Sequence, residues 1–348
     1  MNILVLDTLG REVFETFFPQ DVRDRLEAVG EVHYASAKAG EALSPELLTL
    51  AEQADVLFTG WGVPHLDGEF YRRATRLKLI AHTGGSVGDL ASPELAERGI
   101  VLLSGNRYYA ESVAQATILY MLLGQRRLYP ILKTTEKDGW CSEVATQGLR
   151  GKTVGLVSFG MIAKNVARML RVFDCSVKVS SGHKIPDDEL QAYGIEQCTA
   201  EELLRTSDIV SVHSALTEKT YHELDAEKLA LLRDGALLVN TARGAVIDEE
   251  ALAKELRSGR LRAVLDVFEE EPLPMTSPLR GLDNVVLVPH MGGPTTDVRR
   301  LVTLGLIEDV VRFAQGSTEL ENRIPMEYAR HMTSHAVTQR RNDEVHKR

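Results

Sequence analysis

The chain is 348 residues long, 44% apolar, and carries a formal net charge of −10. That apolar share rules out a disordered protein, and the acidic balance argues against nucleic acid as a partner. Such a length suits two ordinary domains rather than one core. The three cysteines, Cys141, Cys175 and Cys198, are odd in number and lack metal-ligand spacing, so they read as thiols of a reducing cytoplasm. No apolar run approaches the roughly 20 residues that span a bilayer, and the N-terminus reads as a strand rather than a signal segment.

Short β-rich runs alternate with helical patterns throughout, the signature of α/β architecture with parallel sheets. The first strands are predicted at Ile3–Asp7, Val32–Ala35, Val56–Thr59, Leu77–His82 and Ile100–Leu103. Helices fall between them at Pro45–Glu52, behind a Ser44 cap, and at Pro93–Arg98, behind Ser92. Tyr109 to Leu128 then reads as one long helix, apolar on nearly all sides through residues such as Val113, Ile118, Leu119 and Leu122. A helix without a wet face needs cover on several sides: it is either a connecting helix buried within one subunit or, as is expected here, one that also packs on a second subunit in a homodimer.

A second α/β series starts at Gly151, with strands expected at Thr153–Val157, Ser176–Ser180, Ile209–His213, Ala236–Asn240, Arg262–Asp266 and Val285–Val288. Pro294 to Gln315 reads as another long helix that returns the chain to the first series. The expected fold is therefore two Rossmann-like parallel-sheet domains. A dinucleotide-binding domain over 106–294 is inserted in a discontinuous, flavodoxin-like substrate domain built from 1–105 and 295–325. Residues 326–348 lose apolar periodicity and are expected to be a polar, mobile tail whose three histidines are solvated.

Thr153 to Ala163 spells a strand, a tight turn and a helix start. In the fingerprint G-x-G-x-x-G/A the first glycine makes the turn, the second admits a pyrophosphate, and the third small residue lets helix and strand pack. Those positions are Ser158, Gly160 and Ala163, serine being a departure, and Ser158, Phe159, Gly160, Met161 and Ile162 become candidate cofactor contacts. An NAD site carries an acid at the end of the next strand to read the ribose hydroxyls. Here that place holds Ser181, followed by His183 and Lys184, which suits a 2′-phosphate, with a solvated loop as the alternative. The choice between NAD and NADP stays open.

Three later runs each end in a group able to handle charge or a proton. Leu237-Leu238-Val239 leads into Asn240-Thr241-Ala242-Arg243-Gly244, and Leu261 to Val267 leads through Asp266 into Glu269-Glu270-Glu271-Pro272. Val285 to Val288 leads into Pro289-His290-Met291-Gly292-Gly293. Neighbouring strands of an open parallel sheet deliver such ends to one crevice, which makes a catalytic constellation.

With these stretches in this order, the chain resembles the D-isomer-specific 2-hydroxyacid dehydrogenase family over about residues 1–325. The resemblance implies that Gly84-Gly85-Ser86 is the loop that binds the substrate carboxylate. It also places the His213-to-Thr217 turn, with Ala215 where the family has proline, beside the cofactor. Thr241, Ala242 and Gly292 would line the cofactor too, and Asp266 would contact the nicotinamide carboxamide. Glu271 matches the position of the acid that supports the catalytic histidine, where a formate dehydrogenase has glutamine. Histidine's ordinary pKa near neutrality suits His290 as acid in one direction and base in the other. Arg243 offers a permanently charged fork for the carboxylate and adjacent carbonyl of a 2-keto acid. The implied activity is hydride transfer between nicotinamide and C2 of a small D-2-hydroxy acid. The alternative is a nucleotide-sensing, corepressor-like binding protein on the same fold.

Overall fold

The computed structural model describes residues 1–37, 40–141 and 145–333. It divides into two compact units, Met1–Tyr109 with the chain from Pro294 onward, and Ala110–Gly293.

The first unit is built on β1 (Asn2–Asp7), β2 (Glu31–Ser36), β3 (Val56–Thr59), β4 (Leu79–His82) and β5 (Val101–Ser104). They form an all-parallel sheet in the order β2-β1-β3-β4-β5, the flavodoxin-like arrangement. Both faces are covered, so the strands read as continuous apolar runs rather than alternating ones. Ile3, Val5, Val56, Phe58 and Leu79 meet Val302, Leu306 and Val310 of the helix Thr296–Ala314 on one side. Leu4, Leu6, Leu57 and Ile80 meet Leu47, Phe70 and Leu95 on the other. Each such fully buried side chain contributes about 1.5–3 kcal/mol. Ser44 and Ser92 cap the helices Pro45–Gln53 and Pro93–Glu97, their hydroxyls accepting the Leu47 and Leu95 N–H groups at 3.1 and 3.2 Å.

The second unit carries β6 (Thr153–Val157), β7 (Ser176–Ser180), β8 (Ile195–Gln197), β9 (Ile209–Val212), β10 (Leu237–Asn240), β11 (Arg262–Leu265) and β12 (Val285–Leu287). The order β12-β11-β10-β9-β6-β7-β8, again all parallel, reverses its direction of winding between β6 and β9. A dinucleotide binds outside the strand ends at such a reversal.

Several elements differ from expectation. The long helix runs from Asn106 to Gln125, its start moved forward because Ser104 Oγ accepts the Asn106 N–H at 3.1 Å. Within the chain Ala114, Thr117 and Met121 are buried, whereas Leu119 is 57% exposed. A further helix, Leu128–Asp138, follows Arg127, which takes a left-handed φ of 50°. The helices Arg11–Phe17 and Gln20–Glu27 and the strand β8 were not anticipated. The expected tail begins too early at 326. Met326–Ala329 is helical with Ala329 fully buried, and the Thr333 carbonyl accepts the Ser86 hydroxyl at 2.7 Å. The remainder of that expectation, 334–348 with two of the three histidines, lies outside the described residues. Among the described residues, no helix is long and apolar enough to cross a membrane, and no His, Cys, Asp and Glu side chains group as metal ligands.

Candidate active site

The turn after β10 is closed by Asn240, which is 1% exposed. Its Oδ1 accepts the Ala242 N–H and its Nδ2 donates to the Arg243 carbonyl, both at 3.0 Å. This bracket holds Arg243 in extended backbone at the sheet's carboxyl edge. A Cβ on the next residue, Gly244, would sit 1.8 Å from the Phe268 carbonyl carbon. Only glycine lets the turns after β10 and β11 lie this close. Thr241 faces inward, its hydroxyl paired with Thr117 at 2.9 Å, and Ala242 is buried.

Asp266, 1% exposed, anchors the next two strand ends. Its Oδ1 accepts the Tyr120 hydroxyl at 2.9 Å and the Met291 N–H at 2.8 Å, while Oδ2 accepts the Gly292 N–H at 2.8 Å. Its carbonyl takes the His290 N–H at 2.9 Å. These bonds explain how His290 sustains a left-handed φ of 52°, a conformation rare outside glycine and asparagine. A Cβ on Gly292 would approach Asp266 Oδ2 to 2.8 Å, so glycine is needed there as well. Burial, reinforced by the Asp266 charge, pushes the Tyr120 phenol well up and keeps it a donor. The nicotinamide contact implied for Asp266 is left one acceptor direction, on Oδ2, because protein donors fill Oδ1.

His290 Nδ1 lies 2.6 Å from Glu271 Oε2, and Glu271 Oε1 accepts the Phe268 N–H at 3.0 Å. Burial pushes the Glu271 carboxyl up, but the His290 hydrogen bond, the Phe268 N–H and the charges of His290 and Arg243 outweigh it. The net result lies below the usual carboxylate range. An ionised Glu271 only accepts, so Nδ1 carries the proton and Nε2 is left for chemistry. A cavity of about 570 Å³ adjoins the pair, lined by Phe268, Pro272, Leu273 and Leu287 among others. Arg243, Glu271 and His290 thus converge within the second unit.

The glycine turn lies after β6, at the winding reversal. Ser158 takes a φ of 75°, the conformation for which the fingerprint uses glycine. Gly160 is exposed, with nothing within 4 Å of a built Cβ, so backbone is open to an approaching group. It opens the helix Met161–Leu170 without any side-chain cap, whereas Ser44, Asp67, Ser92, Thr199, Asp225 and Asp248 cap others. The first N–H groups of that helix are therefore left for an anion, and the site fits a pyrophosphate. Buried Ala163 packs this helix on the sheet, and Phe159 and Ile162 are half-buried against the same core.

After β7, Ser181 is half-buried and its Oγ accepts the His183 N–H at 3.4 Å, while His183 and Lys184 are exposed. After β9, both ring nitrogens of His213 are sealed from solvent and lack a partner in the described residues. Burial lowers its pKa to about 3, so it is neutral, and a ligand would meet the turn rather than those nitrogens. Thr217 is tied into the turn by the Thr220 hydroxyl, which meets its Oγ1 at 3.0 Å.

Gly84, Gly85 and Ser86 belong to the first unit, after β4. The Gly84 and Gly85 carbonyls accept the Ser104 hydroxyl at 3.1 and 2.8 Å. The Ser86 hydroxyl is committed to Thr333, so only the backbone N–H groups of this loop are candidates for a carboxylate. A Cβ on Gly84 would fall 2.2 Å from His82 Nε2. His82 was not anticipated; it is buried, bonded through Nδ1 to the Thr59 hydroxyl at 2.9 Å, and pushed down to about 4 by burial. Tyr120 and His82 gave no signal in the sequence, since their partners Asp266 and Thr59 lie on remote segments.

Comparison with known proteins identifies the family. Residues 118–292 match the model of the D-isomer specific 2-hydroxyacid dehydrogenase NAD binding domain. A D-3-phosphoglycerate dehydrogenase of Methanocaldococcus jannaschii is 31% identical over 320 residues, 91% of this chain and 58% of that protein. The chain therefore spans less than two thirds of that relative's length. A glyoxylate reductase of Thermofilum pendens is 36% identical over 241 residues, 68% of this chain and 71% of its own. A D-isomer specific 2-hydroxyacid dehydrogenase of Xanthobacter autotrophicus Py2, solved with NADPH and MES, superposes with a TM-score of 0.73 at 26% identity, covering 94% and 99% of the two chains. With two parallel-sheet α/β units and these relatives, the chain belongs to the D-isomer specific 2-hydroxyacid dehydrogenase family of NAD(P)-dependent oxidoreductases.

Proposed function

We propose that this protein reduces small 2-keto acids to D-2-hydroxy acids, and catalyses the reverse oxidation. The observation that carries this reading is the 2.6 Å His290–Glu271 contact, with Arg243 close enough to help hold Glu271 ionised. A bound nicotinamide dinucleotide supplies or accepts the hydride. In reduction, His290 Nε2 gives its proton to the carbonyl oxygen as the alcohol forms, and Glu271 stabilises the imidazolium until then. In oxidation the neutral imidazole takes that proton back. Arg243 holds the carboxylate and draws charge toward the carbonyl oxygen. The backbone N–H groups of Gly84, Gly85 and Ser86 are suited to a carboxylate as well.

The dinucleotide pyrophosphate rests on Ser158 to Ile162, with Thr217, Thr241, Ala242, Asp266 and Gly292 toward the nicotinamide. The dinucleotide is NAD or NADP, and with NADP the residues Ser181, His183 and Lys184 receive the 2′-phosphate. The exposed Leu119, Leu128, Tyr129 and Leu132 support a homodimer, and free thiols at Cys141, Cys175 and Cys198 support a cytoplasmic setting. Light scattering reads the first and fractionation the second.

The test is cofactor oxidation with a panel of 2-keto acids, glyoxylate and hydroxypyruvate included, for wild type and His290→Ala. The variant is expected to lose about 10²–10⁴-fold in kcat while binding the dinucleotide normally. A wild-type rate in His290→Ala would overturn the assignment. A wild type inert to every keto acid would favour a nucleotide-sensing binding protein.

A further inference from the structure

The turns bearing Arg243 and Glu271 are tied together by side chains that take no part in the reaction above. Glu269, two residues before Glu271, forms a reciprocal pair with Glu249, which begins the helix Glu249–Arg257. The Glu269 N–H donates to Glu249 Oε1 at 2.6 Å, and Glu269 Oε1 accepts the Glu249 N–H at 2.9 Å. The same oxygen meets His222 Nε2 at 3.0 Å.

His222 is itself fixed. Its ring lies flat on Tyr221, with centroids 4.1 Å apart and an interplanar angle of 15°. The backbone N–H of His222 donates to the Ala245 carbonyl at 2.9 Å, the Leu224 N–H to the Val246 carbonyl at 3.0 Å, and the Asp248 N–H to the Leu224 carbonyl at 3.1 Å. Residues 222–224, 243–249 and 268–271 are thus one stitched block, closed on the opposite side by the Gly244–Phe268 backbone contact.

The arrangement is electrostatically costly. Burial, with the neighbouring charges of Glu269, Glu271 and Glu250, raises the Glu249 carboxyl to about 7 against a backbone hydrogen bond that lowers it. Neutral residues would close a loop at lower cost. A block that violates local electrostatics is the kind of feature expected where geometry matters more than stability.

We infer that Glu269, with His222 and Glu249, is a positioning residue, the centre of a brace that sets the separation of Arg243 from Glu271 and so the aim of His290. The inference rests on the reading of His290 and Glu271 as the acid–base pair. A displacement of about 1 Å in such a constellation costs on the order of 10²-fold in rate.

Steady-state reduction of glyoxylate by wild type, Glu269→Ala, Glu269→Gln and His222→Ala tests it, with dinucleotide affinity measured separately. Glu269→Ala is expected to lower kcat about 10–100-fold, to move the alkaline limb of the reduction rate to lower pH, and to leave dinucleotide affinity unchanged. Glu269→Gln keeps the acceptor oxygen and should recover most of the loss. A Glu269→Ala protein that melts earlier but keeps the wild-type kcat and pH profile overturns the inference. If that variant does not fold, His222→Ala decides: a loss of about 3–10-fold in kcat supports the brace, and an unchanged kcat overturns it. An active wild type with unaffected variants sinks the brace alone. A wild type inactive on all 2-keto acids sinks the reading of the site and the brace with it.

Discussion

The turn after β6 and the strand ends after β10, β11 and β12 prepare for ligands by opposite means. The first works with backbone: an exposed Gly160, an uncapped helix start, and no side chain committed to the task. The second works with side chains, each held by named partners, from the Asn240 bracket to the Asp266 anchor and the Glu271–His290 pair. A backbone site tolerates substitution so long as the chain can bend, which is why serine can stand at 158. A side-chain site does not, because each atom's position depends on several others.

The sharpest way to break the contrast is Gly244→Ala. Its methyl group would collide with the Phe268 backbone, which no rotamer can relieve. Chemical denaturation should show a loss of about 3 kcal/mol or more, with turnover falling alongside. Next in size, Ser181→Asp adds an acid to the backbone site. The ratio of kcat/KM for NADPH over NADH should fall about 10-fold or more if a 2′-phosphate sits there, since that is roughly 1.4 kcal/mol of repulsion. An unchanged ratio would discard the placement.

Smaller still is Glu249→Gln. The folded-state pKa of Glu249 is raised, to about 7 from an ordinary 4.5. The neutral form is therefore favoured by folding, and that contribution is complete below about 4.5 and lost as pH rises through about 7. The glutamine variant should match wild type at pH 4 and exceed it at pH 8 by on the order of 1 kcal/mol, about 2–4 °C in melting temperature. Smallest is Ser158→Gly, which relieves a left-handed serine. Relief of about 1–2 kcal/mol less the added freedom of glycine leaves about 0.5–1 kcal/mol of stabilisation, read as a higher melting temperature with normal turnover.

The strands were legible because both sheets are buried on two faces, so Leu237 to Val239 or Ile209 to Val212 stand out as apolar runs. Arg11–Phe17 and Gln20–Glu27 were not, being only about two turns long with Gly10 and Pro19 as caps that form no side-chain bond. Strand β8 has only three residues. At the site, the residues that end strands could be named in advance, since a charged group after an apolar run is visible locally. Their supports could not: Tyr120 and Asp266 stand 146 positions apart, and Glu249, Glu269 and His222 look like ordinary surface charge. The inward turn of the His213 nitrogens and the use of Ser86 by Thr333 are likewise set by remote packing.

Asp309 carries a consequence for how the protein is made. Fully buried, its carboxylate accepts the N–H groups of Glu321 and Asn322 at 3.0 and 2.7 Å, and the Asn322 carbonyl accepts the Ser104 N–H at 3.0 Å. The edge of the N-terminal sheet is therefore sealed by residues synthesised more than two hundred positions later. During translation the inserted unit, complete at Gly293, can close while the unit that began first still waits for its last stitch.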